Sequence, residues 1–554
     1  MNDFDKNFHI NMSPLYFVFV FMLFMLWAQE ANADEIEEVL VVGQQEEVYE
    51  TKPTTSSRLI SSILPAFTYN PGGYGGFIGY NEKGTQTVHT SVFVNGIPSN
   101  EPGSGWYNFG HDIVSGERIK VISGANGVLY GSGSIAGTVL IQDTIDSGMT
   151  IRLEDEINYI RVAPIDQIQF VRLEDGMDSV RNDNDEEDNY EFSQFKTIID
   201  AGDWTLVGKY ADYTYDYDNC YDAVDFSVSN DCVEDGERYN VSIRNKYLTI
   251  GRSYVNSNYF TKDVETYTNE SYTDYLRVAD TRQLSNKLSI DYGMDAEKLY
   301  YKTTSSAGEK IYEDENFGLF FQANASFVLD YNFGVRLGND KQNALRLGMS
   351  KGQFFLNVGN SFRKPTLYEL FGDNFVLANP DLKPEEGIGY EIGYGVLSLY
   401  RFEFDETIEY QDGFVMGDVF VNPQYFNAGD YVTQGIKFNQ VFGPVRILLM
   451  YNDTDQPRAP KYSSTIDWRQ TFKDIDFRLR YAINLDRLPS EFDVLPEGET
   501  HLEDLQKLDF YITKKWDKFT LAFKVENVTN EVVEVVPFYE NEGREFYLTF
   551  DYNW

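Results

Sequence analysis

Histidine and cysteine are nearly missing from this chain of 554 residues, which has four of the first and two of the second. His9 falls in the N-terminal leader, and His89, His111 and His501 are widely spaced. With no serine elbow and no paired metal motif beside them, no catalytic constellation can be assembled, and no enzymatic activity is expected. Basic residues are scarce as well: 46 against 88 acidic ones leave a net charge of −42. Such a field repels phosphate backbones, which excludes nucleic acid as a partner. Long apolar runs are lacking too. Apart from one segment near the start, none approaches the roughly 18–20 residues of a spanning helix, so a helical membrane protein is excluded.

That one segment, Leu15 to Trp27, is followed by Ala31-Asn32-Ala33, a small-x-small cleavage pattern. Residues 1–33 therefore read as a secretory signal peptide with a mature start near Asp34. Asp3 and Asp5 offset Lys6 in its leader, and a start at Met12 is the alternative. In an exported chain the local pair Cys220 and Cys232 reads as a disulfide, worth on the order of 3 kcal/mol by the chain-entropy model. Its role would be to stiffen one external loop.

Aromatic residues are plentiful, at 16% of the chain. The final stretch puts Phe546, Leu548, Phe550, Tyr552 and Trp554 on one face of a strand, because strand side chains switch sides at every residue. Five large apolar groups on one stripe suit a strand whose outside is lipid. The same dyad runs through Phe519–Glu526, Phe477–Asn484 and Leu288–Met294. The roughly 400 residues beyond Thr150 would supply about 20–22 strands at about 10 residues per strand plus turns. Every backbone donor in lipid must be paired, so the barrel has to close. The expected fold is an all-β membrane protein, an antiparallel transmembrane β-barrel of about 22 strands with an N-terminal plug domain in its lumen. The glycine-rich stretch from Arg58 to Asp143 is that plug. The divisions are 1–33 signal peptide, 34–57 a short acidic and apolar stretch with a flexible linker, 58–145 plug, and 146–554 barrel.

Four patches resemble the TonB-dependent outer-membrane receptors. Glu37, Glu38, Val39, Leu40, Val41, Val42 and Gly43 are similar to the family's TonB box, which adds as a strand to the energy-coupling protein TonB. Val92-Phe-Val-Asn-Gly-Ile-Pro98, Glu117–Gly124 and Leu129–Ile141 resemble the end of the plug, with Asn95-Gly96 suited to a tight hairpin. Ser361–Phe371 with Asn379–Glu385 resembles the mid-barrel signature, and Val525–Asn530 with Gly543–Phe550 the last hairpin. Two departures concern the plug. Where the family has arginines that pair with barrel glutamates, this chain has Gly79–Gly84 and Ser123-Gly124-Ala125, leaving Lys83 and Lys120 as substitutes. Lysine lacks the bidentate fork of arginine.

The resemblance implies TonB-dependent import of a scarce, large ligand, a ferric siderophore or a cobalamin-type corrinoid, across the bacterial outer membrane by a monomer. A passive porin is the alternative. A haem receptor ranks lower because no histidine lies between Lys364 and Asn379, and an outer-membrane enzyme ranks lower still. Ligand contacts are expected at the plug apex: Tyr69, Tyr74, Asn100, Trp106 and Tyr107. No cofactor is expected beyond calcium in the external loops, at Asp183, Asp185, Asp216 and Asp218, where solvated acidic loops are the competing reading. His111 reads as a hydrogen-bonded structural residue of the plug.

Overall fold

The computed structural model describes residues 40–41, 44–50, 67–69, 76–111, 117–154, 157–178, 187–218, 220–221, 228–339, 343–373, 376–411, 414–416, 419–490, 493, 495–537, 539–540 and 543–554. The expected signal peptide and most of the TonB box lie outside these residues. From Gly148 onward the chain forms 22 antiparallel strands in one closed ring, each paired with its neighbours in sequence. The ring closes where Glu545–Tyr552 pairs with Gly148–Leu153, in the register Leu548 to Leu153 and Tyr552 to Met149. Closure leaves no open edge, so every strand finds partners on both sides.

Alternation decides the faces. In Glu545–Tyr552, Tyr547, Thr549 and Asp551 are buried toward the lumen, whereas Phe546 and Tyr552 are exposed on the outside. The strand Glu385–Tyr394 shows the same two-residue rhythm, with Glu385 and Glu391 buried and Ile388, Tyr390, Ile392 and Tyr394 facing out. The apolar side chains that look surplus on a soluble protein are thus one continuous lipid-facing belt.

The two rims differ. Every connection on one rim is a turn of two or three residues, such as 202–203, 286–287 and 473–474. The other rim carries the long connections, including 364–384, 488–504 and 527–544. Outer-membrane barrels place short turns in the periplasm and long loops outside.

Inside lies a six-stranded sheet in the order Leu40–Val41, Gln44–Glu50, Glu117–Ser123, Gly137–Asp143, Thr90–Val94 and Ile97–Pro98. Thr90–Val94 runs parallel to Gly137–Asp143 and is buried at all five positions, as expected of a strand covered on both faces. The hairpin at Asn95-Gly96 turns on two left-handed residues, with φ of 51° and 87°. Barrel glycines let this sheet approach: a Cβ at Gly387 would lie 2.3 Å from the Ile135 side chain, and one at Gly334 would lie 2.8 Å from Val128.

One expectation is corrected here. The polar stretch after the TonB box reads as a flexible linker, yet Gln44–Glu50 is a strand hydrogen-bonded to Glu117–Ser123, with Glu46 opposite Ile122. Its backbone pairing is supplied by the neighbouring strand rather than by any hydrophobic period of its own.

Candidate functional site

The plug apex is built by its own backbone. Asn100 accepts from the Val92 amide at 2.7 Å and donates to the carbonyls of Thr90 and Gly105, closing the loop Ser99–Phe109 at its neck. Gly105, at φ 78°, completes the turn by donating to the Glu101 carbonyl. Asn100 thereby holds the shape of the apex at which ligand contacts are expected. Tyr107 also turns inward, packing edge-on against Phe109 at 4.8 Å, with the Arg238 guanidinium 5.7 Å from its ring. Trp106 alone of these three is presented to solvent, 42% exposed and 5.0 Å from Phe77. Tyr69 ends a short strand paired with Gly79–Asn81, and Tyr74 lies outside the described residues.

Around this apex the long-loop rim is lined with tyrosine. Tyr190 meets Tyr215 edge-on, Tyr215 stacks on Tyr217, Tyr217 meets Tyr259 edge-on, and Tyr259 stacks on Tyr267 at 4.2 Å. Starting on the neighbouring strand, Tyr301, Tyr368, Tyr425 and Tyr410 form a second chain of edge contacts. The apex reaches this second arc directly, since a Cβ at Gly103 would lie 2.6 Å from the Tyr301 ring and Leu367 donates its amide to the Pro102 carbonyl. Sequence reasoning missed these residues. Their signal was present as the alternation Tyr213, Tyr215, Tyr217 in a chain holding 40 tyrosines.

Toward the short-turn rim the plug is seated by buried ion pairs. Lys83 Nζ meets Glu391 Oε1 at 2.9 Å, with side chains 0% and 2% exposed, and lies 5.0 Å from the Tyr400 ring. The lysine thus takes the place of a missing arginine. Lys120 is half-buried in the strand Glu117–Ser123. Elsewhere the polarity is reversed: the plug supplies Glu117 and Asp143, and the barrel supplies Lys196 to both and Lys209 to Asp143. Burial alone would raise the Asp143 carboxyl, but Lys196, Lys209 and a hydrogen bond from Asn95 hold it far below the usual carboxylate range. Plug Glu101 likewise pairs with barrel Arg238 at 2.5 Å.

The mid-barrel signature is the anchor of a larger network. Arg363 forks onto both Glu385, at 2.7 and 2.8 Å, and Glu369, at 2.9 and 3.0 Å. Glu369 also closes a capping box with Thr366 at the start of the helix Leu367–Phe371. Glu385 then reaches the plug through His89 Nε2 at 2.8 Å, and the other ring nitrogen of His89 meets the Tyr431 hydroxyl at 2.9 Å. His111 is equally enclosed, stacked 3.8 Å from Tyr213. Burial first, and the Arg238 charge second, keep its imidazole well below its ordinary range.

Cys220 and Cys232 are bonded to one another, with Cα atoms 6.1 Å apart, and tie the loop above the strand Trp204–Tyr217 to the next strand. Of the acidic residues expected to bind calcium, Asp216 accepts from the backbone and side-chain amides of Asn189 at 3.3 and 3.1 Å, and Asp218 is buried. Asp183 and Asp185 lie outside the described residues. Among the described residues no group of three or more His, Cys, Asp or Glu is placed to hold a metal.

Two family models match the chain: the TonB-dependent receptor plug domain over residues 34–138 and the TonB-dependent receptor-like β-barrel over residues 163–528. Solved structures share the fold at low identity. A variant of the ferric enterobactin receptor PfeA from Pseudomonas aeruginosa is 14% identical over 92% of this chain and 98% of its own, with a TM-score of 0.68. The siderophore receptor PirA from Acinetobacter baumannii is 12% identical over the same shares, with a TM-score of 0.67. PirA from Pseudomonas aeruginosa, at 14% identity over 92% and 99%, has a TM-score of 0.61.

Proposed function

Since the chain belongs to the TonB-dependent receptor family of plugged outer-membrane barrels, we propose that it imports a scarce ferric siderophore or corrinoid. Family membership makes that import TonB-dependent. The partner is an energy-coupling protein that adds the segment Glu37–Gly43 as a strand. No step in this cycle breaks a covalent bond. Three solved structures that share the fold are named as a ferric enterobactin receptor and two siderophore receptors, which supports the iron-chelate branch of the reading.

One observation carries it. The lumen is filled by a hydrogen-bonded sheet seated through buried charges, among them Lys83 on Glu391 and Glu117 on Lys196. A passive porin needs an open water path, whereas this seat has to be worked loose, and removing one partner of a buried ion pair costs about 3–5 kcal/mol. The segment 37–43 runs almost directly into Gln44–Glu50, whose ladder partner Glu117–Ser123 carries Glu117. Tension applied at 37–43 therefore acts on the strand next to the latch.

Uptake in a strain lacking the receptor tests this. Complementation with the intact gene should restore growth on limiting chelated iron or on limiting cobalamin, and the medium that responds names the ligand class. A gene lacking codons 37–43 should restore neither. Undiminished uptake through that deletion would sink energised import.

A further inference from the structure

Resting on the import reading, we propose that the extracellular mouth selects a ligand with flat or apolar faces and no net negative charge, held by tyrosine rings above Trp106. The site joins three features of the plug and the wall.

The first is the two tyrosine arcs. They are not a sealed core: Tyr267 is 39% exposed, and Tyr217, Tyr259, Tyr368 and Tyr425 are half-buried while facing the lumen or its rim. Tyr312, stacked 4.6 Å from Phe371, extends the second arc toward the helix Leu367–Phe371. Ring faces carry partial negative charge at their centres and attract cations and apolar surfaces while offering nothing to an anion.

The second is the charge that surrounds them. Among the described residues, three basic side chains bordering the arcs are already engaged within the protein. Arg238 is held by Glu101 and the Asn108 carbonyl, Lys364 by Asp314 and Asn316, and Lys310 by the Asp373 carbonyl. Carboxylates outnumber them. Asp188 is buried beside the first arc, two residues from Tyr190 on the long-loop side, Glu234 accepts from Tyr213 at 2.8 Å, and Asp373 accepts from Tyr368 at 3.3 Å. A polyanionic chelate entering this mouth would meet like charge from these carboxylates. A chain carrying −42 also steers cations toward itself and slows anions at low salt.

The third is Trp106. It is the exposed aromatic of the apex and belongs to the plug rather than to the wall. A ligand resting on it spans both bodies, so occupancy is felt by the part that must move.

A matched charge series separates this selectivity from import itself. Purified full-length receptor in detergent is titrated with one ferric trihydroxamate in three forms: bearing a free ammonium, acetylated to neutrality, and succinylated to an anion. A ferric tris-catecholate is the polyanionic comparison and cobalamin the neutral flat one. Affinity should fall by about tenfold or more from the ammonium form to the succinylated one, which corresponds to roughly 1.4 kcal/mol, and the catecholate should not compete. Trp106→Ala should weaken the probes that bind by about tenfold, on the scale of losing one aromatic contact, while Trp204→Phe on the outer wall changes nothing. Tightest binding by the anionic forms, or no binding by any hydroxamate or by cobalamin, overturns the proposal. Energised import stands or falls separately, on uptake by the 37–43 deletion.

Discussion

Where the plug meets the barrel wall, charge is buried in pairs, both near the short turns at Lys83 with Glu391 and at the long-loop ends of the strands at Arg363 with Glu385, whereas the tyrosine arcs of the mouth are partly open to solvent. Lys83, Glu391, Lys196 and Glu117 are all within 2% of complete burial. Tyr267 and Trp106 are about 40% exposed. The same barrel strands supply both regions, and whether a residue is covered by the plug decides its task. Buried charges without escape make a seat that is rigid while closed. Half-open rings make a surface that adapts to a guest. Stability and recognition are therefore separable between the buried seat and the half-open mouth, and substitutions can test that separation.

The largest effect is expected at Glu385. Glu385→Ala leaves His89 without its carboxylate and strips Arg363 of one of its two, and should cost about 3–5 kcal/mol, read as the urea midpoint of the receptor in detergent. Lys83→Ala should cost a similar amount by stranding Glu391. The paired replacement Lys83→Met with Glu391→Leu should recover most of it, because an apolar pair of similar volume removes both desolvated charges together. Failure of the double variant to recover would show that the pair does more than seat the plug.

A smaller loss, about 3 kcal/mol by the loop-entropy model, is expected from Cys220→Ser with Cys232→Ser. It should fall on the external loop and leave the protease resistance of the plug unchanged. Equal loosening of plug and loop would erase the division between seat and mouth.

The smallest effect depends on pH. Unfolded histidine takes a proton near pH 6.5, while native His111, held well below its ordinary range by burial and Arg238, refuses it. Stability must then decline as pH falls below about 6.5, by at most about 1.4 kcal/mol per pH unit. Asp143 has the opposite history: its native carboxyl is depressed, so its contribution persists at neutral and mildly acid pH and disappears only on strong acidification. His111→Phe, which keeps a ring against Tyr213, should flatten the slope between pH 7 and 5 as compared with the parent protein.

The mid-barrel signature shows how much of this was legible beforehand. Ser361–Phe371 and Asn379–Glu385 read as a strand leaving into a loop, which holds: the strand ends at Arg363 and pairing resumes at Glu385. That Arg363 and Glu385 meet, and that His89 joins them from 296 residues away, had no local trace. Lys83 was visible as a substitute for an arginine, but its partner was not. Asn100 and Tyr107 were legible as apex residues, but the contacts they make within the loop, to the Val92 amide and to Phe109, had no local trace. Gln44–Glu50 misled, since a strand paired to an existing sheet needs no hydrophobic rhythm.

Lipid on one side and a packed lumen on the other constrain each strand every second residue, so strand identity, facing and the existence of a closed ring could be inferred from local pattern alone. Partners across the lumen depend on the register of 22 strands and on where the ring closes, which no window of sequence contains. Lys83 and Glu391 are 308 positions apart, and the tyrosine arcs collect rings from strands scattered between Tyr190 and Tyr425. The plug's seat and the character of its mouth belong to the tertiary structure, because each is a coincidence in space among residues that do not interact along the chain.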